Sequence, residues 1–155
     1  MIYTEIYGNL ITLAQEGTFD VIAHGCNCFC TMGAGIAPQM AKAFDCDKYE
    51  LEADEYRGDI NKLGQIQYHD FMLTTSPKVS VVNCYSQYDF RGTKPFDEEA
   101  FTLCMRKINK QFAGKHVGLP QIGAGLAGGN WETIKSIIVR ELFQTHTTVV
   151  IFRKD

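Results

Sequence analysis

Five glycines fall within the twelve residues from Gly118 to Gly129, in the run Gly118-Leu119-Pro120-Gln121-Ile122-Gly123-Ala124-Gly125-Leu126-Ala127-Gly128-Gly129-Asn130-Trp131. An apolar, strand-like segment precedes this run and an amphipathic, helix-like one follows it. Without Cβ atoms the backbone can turn sharply, reach positive φ and point several N–H groups into one concavity that suits an anionic oxygen. A second connection of this kind runs from Gly25 to Pro38. Its Gly33-Ala34-Gly35 stands just before a helix, where free backbone donors and the positive end of the helix dipole meet. Two such loops could grip one diphosphate. The same glycines also suit tight strand-to-helix turns, so neither loop alone decides between turn and ligand. Neither matches G-x-G-x-x-G with an acidic residue about twenty positions on, and the chain has no G-x-x-x-x-G-K-[ST] phosphate loop.

The loops alternate with elements of a single α/β domain. Strand-like segments, rich in β-branched and aromatic residues, occur at Met1–Ile6, Asp20–His24, Gln65–His69, Phe71–Thr74, Val79–Tyr85, His116–Leu119 and Thr147–Phe152. Helical periodicity is found at Pro38–Phe44, Tyr49–Tyr56, Phe96–Gln111 and Trp131–Phe143. This order predicts a largely parallel sheet covered by helices on both faces, with ligands bound beyond the carboxyl ends of the strands. Both glycine loops fall at such ends. The polar stretch Tyr88–Pro95 lies at the same edge, as either a lid or a plain surface loop.

With 155 residues, one domain can bury roughly two thirds of its unfolded surface, whereas two would be cramped. A net charge of −3 with scattered Lys and Arg argues against a general polyanion-binding surface, so any phosphate has to be held locally. No apolar run approaches the roughly 20 residues of a membrane span, and the N-terminus reads as a strand rather than a leader, so a cytoplasmic protein is expected. Cys26, Cys28, Cys30, Cys46, Cys84 and Cys104 lack C-x-x-C pairing and histidine partners at ligand spacing. They read as buried reduced thiols rather than metal ligands or disulfides. No cofactor is expected. His69, His116 and His146 read as structural or surface residues.

In order and spacing, three blocks resemble the macro domain family, whose members bind ADP-ribose and its derivatives. They are Ile6-Tyr7-Gly8-Asn9-Leu10; Ala23-His24-Gly25-Cys26-Asn27 with Met32-Gly33-Ala34-Gly35-Ile36-Ala37; and Leu119 through Trp131. Together they span nearly the whole chain and imply one macro domain over residues 1–155, a three-layer α/β/α sandwich. The resemblance is to the branch of ADP-ribose-1″-phosphate phosphatases with small bacterial and phage relatives, and to the neighbouring terminal ADP-ribose glutamate hydrolases.

The resemblance implies roles residue by residue. Asn9, with Leu10 beside it, stands where many macro domains have an Asp that accepts from the adenine amino group. An Asn carbonyl can still accept that bond, without the assistance of charge. Asn27 matches the asparagine that bonds the distal ribose, and in the phosphatase reading it is, with His24, a catalytic candidate, since orienting that ribose positions the reacting phosphate. Gly33, Ala34, Gly35 and Ile36 match the first loop around the diphosphate and distal ribose, and Gly123, Ala124, Gly125, Leu126, Ala127 and Gly128 the second. The glutamate hydrolases carry an Asp where Ala127 stands and a lysine nucleophile near Gln87 or Tyr88, so their covalent chemistry does not carry over. Lys94 is displaced by several residues.

A phosphatase must hold the terminal phosphate, stabilise developing charge and position water. His24 is the leading proton-transfer candidate, because it ends the strand that feeds the first glycine loop and imidazole titrates near neutrality. The alternative is a buried structural histidine. Asp89 is a weaker candidate, and a thiolate nucleophile is disfavoured without a C-x₅-R loop. Three functions remain in view. The first is release of phosphate from ADP-ribose-1″-phosphate, the second removal of ADP-ribose from a macromolecule or an acyl group, and the third non-enzymatic reading of ADP-ribose. The partner is a small-molecule ligand or an ADP-ribosylated macromolecule, with no membrane, and a monomer is expected.

Overall fold

The computed structural model describes residues 2–48, 57–74, 78–92, 95–125 and 127–153. β-Branched and aromatic runs form β1 (Tyr3–Gly8), β2 (Val21–Asn27), β3 (Ile66–Phe71), β4 (Val79–Gln87), β5 (His116–Leu119) and β6 (His146–Phe152). The helices are α1 (Leu10–Gln15), α2 (Ala37–Phe44), α3 (Glu98–Gln111) and α4 (Trp131–Glu141). The strands form one sheet in the order β1-β6-β5-β2-β4-β3, parallel except where β3 runs antiparallel to β4 at the edge. The expected α/β/α sandwich is therefore the observed fold.

Alternation along the strands sorts the core onto two faces. From β2 and β4, Val21, Ala23, Val82 and Cys84 pack with Phe101, Met105 and Ile108 of α3 and with Ile134 and Ile138 of α4. From the same strands, Ile22, Val79 and Val81 pack with Leu10 and Ala14 of α1 and Met40 and Phe44 of α2. Both β2 and β4 are buried on both faces, as their near-continuous apolar runs require.

Several boundaries differ from those the sequence predicts. Gln65–His69 and Phe71–Thr74 are one strand, because β3 pairs continuously with β4 from Ile66 to Phe71. β2 continues three residues past His24, so Gly25, Cys26 and Asn27 are paired strand and the first loop begins only at Cys28. Phe96 lies outside α3 in an isolated bridge to Gln87, and Asp97 caps the helix by accepting from the Ala100 N–H at 2.9 Å. α4 ends at Glu141, two residues short of Phe143. α1 has no counterpart among the predicted helices. It is a six-residue helix whose signal is its cap, with Asn9 Oδ1 accepting from the Thr12 N–H at 3.1 Å. The helical pattern at Tyr49–Tyr56 lies outside the described residues.

Candidate functional site

The carboxyl ends of the parallel strands open into a cavity of about 1040 Å³. The strand order lays its wall out in sequence across the sheet. Asn9 and Phe152 come from the ends of β1 and β6, the second glycine loop extends from β5, the first from β2, and Ser86 and Gln87 end β4. With neighbouring strands about 4.8 Å apart, four strand spacings separate the β1 and β4 ends by roughly 19 Å.

The middle of this row presents backbone N–H groups toward the cavity. Gly33, Ala34, Gly35 and Ile36 line the cavity, and among the described residues their N–H groups donate to no backbone carbonyl. Ile36 stands at the N-cap of α2 without a side-chain capping bond and Pro38 stands in the first turn, so this end of the helix offers free donors and a positive dipole. Gly35 takes φ +64°, a conformation that suits glycine. Across the cavity, the second loop is held by bonds from the Gly128 N–H to the Gly125 carbonyl (3.0 Å) and from the Gly129 N–H to the Gly123 carbonyl (2.7 Å). The N–H groups of Gly123 and Gly125 are left outside such bonds among the described residues. Gly123 has φ +75°, and a Cβ there would lie 2.4 Å from the Phe96 ring, whereas a Cβ on Gly125 would meet nothing within 4 Å. Gly123 therefore shapes the loop, and Gly125 leaves room beside it.

Asn9, Leu10, Asn27, Ala124 and Ala127 also line the cavity. Asn27 is largely committed to the protein, since its Oδ1 accepts from the N–H groups of Phe29 (3.0 Å) and Thr31 (3.2 Å) and its Nδ2 donates to the Thr31 carbonyl (2.9 Å). It shapes the turn that leads into the first glycine loop and keeps one amide hydrogen for a ligand. Gly128 does not line the cavity. It closes the second loop at φ +77°, a correction to its reading as a ligand contact. Leu126 lies outside the described residues, as does Lys94.

His24 is the main correction. Its side chain points to the α2 face of the sheet, is fully buried and does not line the cavity. Asn83 donates through Nδ2 to the Cys46 carbonyl (3.0 Å), which leaves its Oδ1 to accept from His24 Nε2 at 2.8 Å. Cys26 and Cys46 Sγ atoms lie 3.5 and 3.6 Å from that nitrogen. Burial in this thiol-lined space pushes the imidazole down to about 4, outweighing the Asn83 bond, so it is neutral at physiological pH, behind the cavity wall that Cys26 lines. Period-2 alternation explains the error, because the strand-end position that looked accessible falls on the face opposite Gly25. Asp89 does not line the cavity either, and it pairs with Arg91 at 2.8 Å in an exposed turn. All six cysteines are buried and unpaired, in keeping with their spacing in the sequence. Burial raises the Cys26 thiol well above its usual value and Cys28 to about 11, which disfavours a thiolate at either residue.

Thr31, Gln39, Ser86 and Phe152 also line the cavity without being singled out by the sequence, while Gln87 and Phe90 line it from the position and the stretch that the sequence does mark. Strand-end position was the available signal for Ser86 and Phe152. No Asp, Glu, Lys, Arg or His lines the cavity among the described residues. The lining is therefore uncharged and largely apolar, with backbone N–H groups and a few neutral polar side chains as its hydrogen-bonding groups.

No protein-family model matches the chain. It is 38% identical over 145 residues to an uncharacterised 17.5 kDa protein of Enterobacteria phage T4, covering 89% of this chain and 88% of that one. It is 26% identical over 157 residues to an ADP-ribose 1″-phosphate phosphatase of Candida albicans, covering 94% and 97%. Among solved structures, the macrodomain of Mycobacterium tuberculosis DarG superposes with a TM-score of 0.76 at 21% identity, over 99% of both chains. Thermosipho africanus DarTG in complex with ADP-ribose superposes with a TM-score of 0.75 at 15% identity, over 98% of this chain and 41% of that one. The chain is thus similar along most of its length to the phage protein, and it has the macrodomain fold, since those structures superpose on the whole of it.

Proposed function

We propose that this chain is a macro domain that binds ADP-ribose and releases phosphate from ADP-ribose-1″-phosphate. The observation that carries the binding reading is the order of groups across the sheet. One end lies at Asn9 and the Phe152 ring, two loops of unpaired backbone donors fill the centre, and a polar end lies at Asn27, Ser86 and Gln87. That is the order of adenosine, diphosphate and distal ribose in one extended ligand. The ADP-ribose complex of the Thermosipho protein and the name of the Candida relative support the same reading.

For the phosphatase step, water attacks phosphorus, the bond from phosphorus to the 1″ oxygen breaks, and ADP-ribose and inorganic phosphate leave. The chain's contribution is to position the terminal phosphate and to stabilise its developing charge with backbone N–H groups. His24 and the cysteines take no part. A covalent de-ADP-ribosylating route is disfavoured, because Gln87 and Ala127 line the cavity where lysine and aspartate would be needed, and the Gln87 amide donates to the Asp89 carbonyl at 2.9 Å. The uncharged lining favours one second reading, a binding protein without turnover.

The test is incubation of the protein with ADP-ribose-1″-phosphate, followed by ³¹P NMR and chromatography. Equal amounts of phosphate and ADP-ribose are expected. Tight binding with no phosphate release would establish the reader instead, and no binding of either nucleotide would overturn both.

A further inference from the structure

We infer that Ser86 is a ligand-binding residue that reads the distal ribose end of ADP-ribose, an inference that rests on the ADP-ribose reading above. Three independent observations converge on it. First, the parallel pairing of β2 with β4 slips at this point. Cys26 stands opposite Tyr85 and Asn27 opposite Gln87, so Ser86 is the extra residue of a bulge. Bulges are uncommon in parallel pairs, and they re-aim side chains beside functional sites.

Second, Ser86 lines the cavity, is 1% exposed, and its Oγ has no hydrogen-bond partner among the described residues. A buried hydroxyl without a partner is costly, and proteins keep one where something else satisfies it. The backbone of the same residue is anchored, since its carbonyl accepts from the Asp97 N–H at 2.9 Å. Third, the space next to the hydroxyl is kept clear by glycine. A Cβ on Gly25 would lie 3.0 Å from both Ser86 Oγ and Ile122 Cγ2, tighter than ordinary packing, and Gly25 also lines the cavity.

The strand order decides which part of the ligand this hydroxyl meets. Ser86 ends β4, four strands from Asn9, and lies beyond both glycine loops and beside Asn27. A group there contacts the part of the ligand beyond the diphosphate, namely a hydroxyl of the distal ribose or a substituent on it. The Ser86 hydroxyl donates to that oxygen and holds the sugar in place. ADP, which stops at the second phosphate, does not reach it.

The experiment is calorimetric titration of the wild type, Ser86→Ala and Ser86→Cys with ADP-ribose and with ADP, alongside the melting temperature of each unliganded protein. Ser86→Ala should bind ADP-ribose about tenfold more weakly, the effect of one buried hydrogen bond, and should change ADP affinity less than about twofold. Ser86→Cys, a weaker donor of similar shape, should fall between. The unliganded alanine variant should melt at or above the wild-type temperature, because it no longer buries an unpaired hydroxyl. A wild type that binds neither nucleotide overturns the ADP-ribose reading and this inference with it. Wild-type binding combined with an unaffected alanine variant overturns this inference alone. So does an equal loss for ADP and ADP-ribose, or a lowered melting temperature, since either marks a merely structural serine.

Discussion

Gly123 and Gly125, two residues apart in one loop, separate the structural from the functional demand on glycine. At Gly123 a methyl group would collide with Phe96 at 2.4 Å in a left-handed backbone, so Gly123→Ala should cost about 3 kcal/mol in thermal or denaturant unfolding. At Gly125 the Cβ position is open, so Gly125→Glu should leave the circular dichroism spectrum and stability close to wild type. Its carboxylate would stand among the phosphate donors, and ADP-ribose binding should be lost. Wild-type affinity in a folded Gly125→Glu protein would remove the second loop from the site.

At the same scale, His24 belongs to the stability of the fold. Its folded pKa of about 4 lies below the unfolded value of about 6.5, so the unfolded chain binds the extra proton between those limits. The stability that depends on a neutral His24 is complete above about pH 6.5 and is lost as pH falls through 4. The loss is on the order of 3 kcal/mol. His24→Gln keeps a donor for Asn83 and should flatten stability against pH over this window, as followed by urea denaturation. Phosphate release by the folded variant should be unchanged. A hundredfold loss of turnover without a loss of stability would return His24 to the chemistry.

At the scale of elements, Asn9 holds two positions at once. Its Oδ1 caps α1 through the Thr12 N–H, and the residue lines the β1 end of the cavity. Asn9→Ala should cost about 1 kcal/mol, the usual worth of such a cap, and should weaken ADP-ribose binding. Asn9→Asp keeps the acceptor and places a negative charge at a helix N-terminus, so chemical denaturation should find it at least as stable as the wild type. The elements also show what is legible in the sequence. Long periodic segments such as α3 and the apolar β2 and β4 are legible because burial alone specifies them. α1 has only six residues and too short a period to detect, so only its cap could announce it. The faces of the strand ends are hidden for a different reason. Whether His24 or Gly25 meets the ligand depends on which face packs against α2, and that is set by tertiary pairing. The Ser86 bulge escapes for the same reason, since register belongs to two strands and neither sequence alone contains it.

Across the whole molecule, the sheet order β1-β6-β5-β2-β4 turns separate sequence blocks into one linear binding groove. The blocks around Asn9, Asn27 and Gly125 are recognisable in the chain. Their arrangement along one cavity, with Asn9 at one end, Gly125 at the centre and Asn27 toward the other, becomes visible only with the topology. The chain carries a net charge of −3, and no cationic side chain lines the cavity among the described residues, so long-range attraction contributes little to capture of an anionic ligand. Affinity has to come from short-range backbone donors that engage along the full groove. ADP-ribose, which spans it, should therefore stabilise the protein far more than AMP, which ends near the first glycines it meets. At a hundred times its dissociation constant a ligand contributes about 2.7 kcal/mol, which in a domain of this size corresponds to a rise of roughly 5–10 °C in Tm. Differential scanning fluorimetry at equal millimolar concentrations should show that rise for ADP-ribose and a clearly smaller one for AMP. Added sodium chloride should diminish the ADP-ribose shift only weakly, because the donors are uncharged dipoles rather than exposed ions. Equal shifts for the two nucleotides would mean that only the adenine end is engaged, and the groove reading would fail at its centre.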